Sequence, residues 1–260
     1  MKLRPLALLF ALLCGAVATL AAQDSSSSPV ASARFAAADT AASGGDADAP
    51  ARAAFARRPW EYGPFFQGGA GVGTRSDYHF SAAGFRLGKV MTPQVGRGFF
   101  RGQFEFAGEV MPYWQAFTPA PYNQAETVYD PAAGLNYTYY VPYGGGTFTG
   151  VSLTPVIFHW DFKPGRRIAP WFQAAGGLIY TTHKFPPDVL VEHGQPGGTS
   201  VWNFSPQGGI GMHYFINRNH AITLSANGVH ISSASLGDHN PGVNASVMFQ
   251  IGYTFFGRSF

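Results

Sequence analysis

His230 and Ser232 stand two residues apart near the end of an alternating apolar segment. Residues i and i+2 of a strand project from one face, with Cα atoms about 6.5–7 Å apart at a rise of about 3.3 Å per residue. An imidazole at that spacing can lean toward a hydroxyl and take its proton, which makes a serine nucleophilic. A plainer reading of the spacing stands beside this one: two polar groups that simply hydrate at a strand end. The other histidines, His79, His159, His183, His193, His213, His220 and His239, form no short-spaced ligand set, so no metal is expected. The glycine runs Gly69–Gly73 and Gly144–Gly146 lack the strand-to-helix context of a phosphate loop, and no cofactor is expected.

The elements that must position such a pair begin after a leader. Lys2 and Arg4 precede an apolar run from Leu6 to Leu20, and small residues follow at Ala21 and Ala22, so residues 1–22 read as a secretory signal. Cys14, the only cysteine, falls inside it, which leaves the mature chain without thiol or disulfide chemistry. Residues 23–58 are rich in Ala, Ser and Asp and are expected to be a disordered spacer, because they offer too little apolar surface to offset chain entropy. Without Lys2 and Arg4 the chain carries 15 basic against 14 acidic side chains, and no basic run tracks a phosphate backbone, so nucleic acid is not an expected partner.

Composition changes at Pro59-Trp60, and residues 59–260 form the folded domain. Period-two alternation recurs eight times, over Trp60–Gly73, Tyr78–Met91, Gly98–Trp114, Phe148–Phe162, Ile168–Thr181, Val201–Ile216, Asn219–Ser232 and Val243–Phe256. In the third segment Phe104, Phe106, Gly108 and Val110 oppose Gln103, Glu105 and Glu109; in the sixth, Trp202, Phe204, Ile210, Met212 and Tyr214 oppose Asn203, Ser205, Gln207 and His213. The strands reach the roughly 9–11 residues needed to cross a bilayer at a tilt, and their apolar faces are rich in aromatics near the ends. Short connections (Thr92–Val95, Lys163–Arg167, Asn217–Arg218) alternate with long ones (Gln115–Thr147, Thr182–Ser200, Ser233–Gly242). The expected fold is all-β, an eight-stranded antiparallel transmembrane β-barrel of the outer-membrane kind. The terminal aromatic Phe260 resembles the assembly signal of such proteins. A barrel this narrow is filled by side chains, which argues against a pore. Arg101, Glu105 and Glu109 read as an interior polar cluster, and Gln115–Thr147 as an exposed loop, with an adhesive role as a lesser option.

With the N-terminus in the periplasm, the seventh strand ends on the external side. Its even positions, Ile222, Leu224, Ala226 and Gly228, are the more apolar, so His230 and Ser232 are expected on the lipid-facing wall near the outer leaflet.

The segment His230-Ile231-Ser232-Ser233-Ala234-Ser235, followed by Asn240-Pro241-Gly242-Val243-Asn244, resembles the motif of the lipid A 3-O-deacylase (PagL) and acyloxyacyl hydrolase family of outer-membrane barrels. That family carries His-x-Ser-Asn-Ala-Gly and then Asn-x-Gly-x-Glu; His230, Ser232, Ala234, Asn240 and Gly242 match it. The resemblance implies hydrolysis of an acyl ester of lipid A in lipopolysaccharide within a Gram-negative outer membrane, with Ser232 as nucleophile and His230 as base. It leaves a homodimer open. Three positions depart from the motif. Asn244 stands where the family has its acid, Ser233 replaces an Asn and Ser235 a Gly, so any oxyanion support falls to Ser233, Ser235, Asn240 and Gly242 mainly through backbone N–H groups. Asp238, in the loop between the two parts of the motif, is the carboxylate that would have to substitute for that acid. A weak or inactive barrel of the same architecture, structural or lipid-binding, is the alternative these departures raise.

Overall fold

The computed structural model describes residues 49–120, 122–143, 145–186, 199–234, 236–237 and 245–257. Eleven strands follow a short helix, α1 (Pro50–Ala56): β1 (Trp60–Gly71), β2 (His79–Val90), β3 (Gly102–Phe117), β4 (Tyr122–Asp130), β5 (Leu135–Tyr143), β6 (Thr147–Phe162), β7 (Ile168–Phe185), β8 (Ser200–Phe204), β9 (Gln207–Asn217), β10 (His220–His230) and β11 (Ala245–Gly257). All pairings are antiparallel, in the order β6-β3-β2-β1-β11-β10-β9-β7, and β6 pairs with β7 to close the sheet. The wall is therefore an eight-stranded barrel in which β8 and β9 act as one strand interrupted at Ser205-Pro206, where proline cannot donate to the ladder. Trp60 opposes Gly257, so both ends of the barrel chain lie at the rim that carries the short turns. Among the described residues no helix is long and apolar enough to cross a membrane.

Alternation becomes inside and outside. Phe85, Leu87, Phe106, Val110, Leu153, Ile210, Phe249 and Ile251 are exposed on the outer wall. Trp60, Tyr62, Tyr214 and Tyr253 gather toward the short-turn rim, and Tyr113, Phe117, Tyr180 and Trp202 toward the other, as the two aromatic girdles of a membrane barrel do.

The lumen is layered. Below the long-connection rim, Phe65, Phe80, Met111, Trp114, Phe148, Ile179, Phe185, Val229, Ile231 and Met248 form an apolar plug. A polar layer lies beneath it. Arg86 of β2 donates to Glu61 (3.0 Å), Glu105 (3.2 Å), Glu109 (3.1 Å) and Gln173 (3.0 Å), and its Nη2 also lies against His159 Nδ1. Gly88 leaves the room this cluster needs, since a Cβ there would collide with Glu105 Oε1.

Four expectations change. Arg101 is exposed, and the cation of the interior cluster is Arg86 from the less regular second strand. β3 begins at Gly102 rather than Gly98, because Gly96 and Gly98 adopt positive φ (84° and 58°) and turn the chain beforehand. The segment Gln115–Thr147 is not a plain loop: β3 runs on to Phe117 and β4–β5 forms a hairpin whose turn is fixed by Asp130 Oδ1 accepting from Ala132 N (2.8 Å). The expected spacer also ends earlier than residue 58. The described part of it includes α1, where Ala51, Ala54 and Phe55 are buried and Phe55 packs edge-on against Phe215 and Phe256, both at 5.8 Å. A single aromatic on an alanine-rich turn suffices to dock it, with Arg57 Nη2 donating to Arg218 O at 2.8 Å.

Replacing Arg86 with Met would leave the Glu61, Glu105 and Glu109 carboxylates buried without their cation. The expected loss is about 3–5 kcal/mol, read as a lower denaturant midpoint for the barrel in detergent micelles.

Candidate active site

β10 carries His230 as its last residue, and the chain stays extended beyond it. His230 opposes Ala245 of β11 and donates its N–H to Pro206 O at 2.9 Å. Two residues on, Ser232 bridges to Phe204 of β8: Ser232 N donates to Phe204 O at 3.0 Å, and Phe204 N to Ser232 O at 2.7 Å. The Pro206 interruption thus does not end pairing; β8 continues it to the rim.

Parity survives through this stretch. Val229, Ile231 and Ser233 are buried, while His230 and Ser232 are half-buried between them. Val229 and Ile231 belong to the upper apolar plug, so the imidazole and the hydroxyl project from the opposite, outer face. Directly opposed antiparallel residues share a face. Phe204, 41 % exposed, therefore stands beside Ser232, and Trp202 and Tyr180 continue the apolar surface with ring centroids 4.9 Å apart. The hydroxyl is oriented locally: Ser232 Oγ accepts from Ala234 N at 3.1 Å. The chain then reverses in a turn closed by Leu236 N donating to Ser233 O (2.9 Å), with Ala234 at φ 49°. Ala in that region is strained, where glycine or asparagine is the usual occupant.

Ser233 sits differently from its two predecessors. Its side chain is fully buried, and its Oγ has no hydrogen-bond partner among the described residues. Its hydroxyl cannot serve a reaction on the outer wall; only its backbone could. Ser235, Asp238, Asn240, Gly242 and Asn244 lie outside the described residues. The structure brings His230 and Ser232 to one face at one rim. The sequence did not reveal the cross-strand supports, Pro206 O and Phe204, because they depend on register across the β8–β9 interruption.

A family model described as "Lipid A 3-O-deacylase (PagL)" matches residues 97–254, well over half of the chain. The protein belongs to the lipid A 3-O-deacylase (PagL) family. The match runs from just before β3 into β11 and includes His230 and Ser232. Among solved structures, the crystal structure of the outer membrane enzyme PagL is similar over 74% of this chain and 97% of that one, at 15% identity and TM-score 0.38. Neisserial surface protein A (NspA) is similar over 77% and 97%, at 12% identity and TM-score 0.39. OprG from Pseudomonas aeruginosa is similar over 77% and 96%, at 9% identity and TM-score 0.36. Among curated proteins none matches this chain in sequence.

Cys14 is the only cysteine, so a chain carrying Cys14→Ser allows clean single-site labelling. A fluorophore on His230→Cys or Ser232→Cys should be quenched by a lipid-borne quencher. One on Val229→Cys or Ile231→Cys should be protected. Equal quenching at all four positions would contradict the parity described above.

Proposed function

We propose that this family member is an outer-membrane serine-type esterase that removes an ester-linked acyl chain from lipid A of lipopolysaccharide. Its leader is removed at about residue 22, and the rim with the long connections faces outward. The observation that carries the reading is the placement of His230 and Ser232 together on the outer wall at that rim, in a chain of the lipid A 3-O-deacylase family. A lipid of the outer leaflet can reach groups on the wall without leaving the bilayer. The apolar surface of Phe204, Trp202 and Tyr180 beside Ser232 suits acyl chains.

The chemistry follows from the groups. His230 takes the Ser232 proton as Oγ attacks the acyl carbonyl, and the negative charge moves to the carbonyl oxygen. Backbone N–H groups of the turn after Ser232, with contributions from Ser235, Asn240 and Gly242, are the donors for that oxyanion. Collapse breaks the ester bond, and His230 returns the proton to the departing sugar oxygen. Water, activated by the same imidazole, then releases the fatty acid and restores Ser232. Asn244 orients the imidazole through its side-chain carbonyl, as an amide can, but without the charge that stabilises an imidazolium. An acid-to-amide change at the orienting position costs about 10⁴ in rate in a serine protease.

Asn244 also favours a second reading, a structural or lipid-binding barrel of this architecture with little or no turnover. One assay separates the two. The barrel is reconstituted with lipopolysaccharide, and released 3-hydroxy fatty acid is measured by mass spectrometry. The esterase reading expects release that falls at least about 10³-fold in Ser232→Ala and in His230→Ala, and a gain of up to about 10⁴-fold in Asn244→Glu. Release that persists in both alanine variants overturns the assigned roles. Silence from both the intact chain and Asn244→Glu overturns the esterase reading and favours the second.

A further inference from the structure

The polar layer of the lumen holds a constellation that rim chemistry does not use. His159 and Asp161 project inward from β6, His213 from β9 and Glu61 from β1, and all four are buried to 0–1 % exposure. His159 Nε2 is 3.2 Å from Asp161 Oδ1, and His213 Nε2 is 3.9 Å from the same oxygen and 3.5 Å from Glu61 Oε2. None of these atoms has a hydrogen-bond partner in good alignment among the described residues, nor has Asp161 Oδ2. Ligand atoms of His159, Asp161 and His213 lie within 4.8 Å of one another. We propose that His159, Asp161, His213 and Glu61 bind a divalent transition-metal ion of the zinc type, as a structural ion inside the barrel above α1.

Geometry supports this first. A tetrahedral site with bonds of about 2.0–2.1 Å places its donor atoms about 3.3 Å apart. The separations of 3.2, 3.5 and 3.9 Å lie near that edge length, so small side-chain rotations bring four donors to one centre. Two imidazoles and two carboxylates suit zinc better than magnesium or calcium, which favour all-oxygen shells.

Charge supports it next. Four buried carboxylates, Glu61, Glu105, Glu109 and Asp161, face one guanidinium, Arg86. With neutral imidazoles a divalent ion offsets two of the three surplus charges.

The outer contacts fit as well. His213 Nδ1 is 2.8 Å from Thr223 Oγ1, which is 2.6 Å from Thr254 Oγ1, a hydroxyl relay that holds the ring. Trp171 packs beside both imidazoles, 4.5 Å from His159 and 6.0 Å from His213 by ring centroid, and adds an apolar wall to the site. Binding requires His159 Nδ1 to carry its proton and to turn it from Arg86 toward Glu105 Oε1, 4.0 Å away.

The test uses the whole barrel folded in detergent, stripped with a chelator and titrated with Zn²⁺ or Co²⁺ alone. The expected result is one ion per chain surviving desalting and the intense visible absorption of tetrahedral Co²⁺. A fall of at least about 100-fold in affinity is expected in His159→Gln and in His213→Gln, with no change in His183→Gln, whose imidazole is exposed. The band shift of a folded barrel on unheated gels verifies each variant. If a variant does not fold, the cobalt spectrum and stoichiometry of the intact chain decide. No retained ion, a faint octahedral spectrum, or retention unchanged in both folded variants overturns the proposal in favour of an acid–imidazole cluster held by shared protons.

Discussion

The pairing of β6 with β7 is the constraint on which everything else here depends. In hydrocarbon, no water is present to satisfy an open sheet edge, so a membrane sheet must close on itself. Closure turns a period of two along each strand into a distinction between lumen and lipid. From then on the position of a residue along its strand decides its surroundings. Phe249 and Ile251 meet the bilayer, while Met248 and Gln250, one step away on β11, meet the lumen.

The lumen answers that constraint in layers. Aromatic and aliphatic side chains fill the end beneath the candidate site, a guanidinium gathers carboxylates in the middle, and Phe55 of α1 seals the end with the short turns. Val229 and Ile231 are part of the upper layer. The same packing that stabilises the barrel therefore holds the strand that presents His230 and Ser232. A change in that layer acts on the rim through the backbone of β10, without touching either side chain.

Alternation made the eight wall strands legible, to within a few residues at each end, because every strand obeys the same face rule. It could not reveal what is decided across the barrel. Arg86 sits in a segment of small residues where the pattern is weak, so Arg101, in a stronger pattern, drew the assignment; the glycines at 96 and 98 place Arg101 outside the strand instead. His159 and His213 are 54 positions apart in sequence, and no local spacing anticipates that β6 and β9, with only β7 between them, bring their rings to 6.0 Å. α1 was hidden by composition: an alanine-rich stretch reads as spacer until one phenylalanine finds a ring of others. At the candidate site, the His230–Ser232 face was readable from parity. The inward turn of the Ser233 hydroxyl follows from the same rule and limits what that residue can contribute.

Histidine illustrates how much parity alone decides. His213, inward and fully buried, can be tolerated only where other polar groups surround it, since an isolated polar side chain in a low-dielectric lumen is costly. It stands among carboxylates and a hydroxyl pair that make its two nitrogens useful to one another's partners. His230 faces outward, and a polar group on the lipid wall is tolerated only near the end of a strand, where hydrocarbon gives way to headgroups. It occupies the last position of β10. Shifting either residue by one position would exchange their surroundings, burying an imidazole in the apolar plug in one case and exposing it to acyl chains in the other. The architecture thus offers two kinds of place for polar chemistry, a shielded one in the middle of the lumen and a lipid-accessible one at the rim. Strand register selects between them.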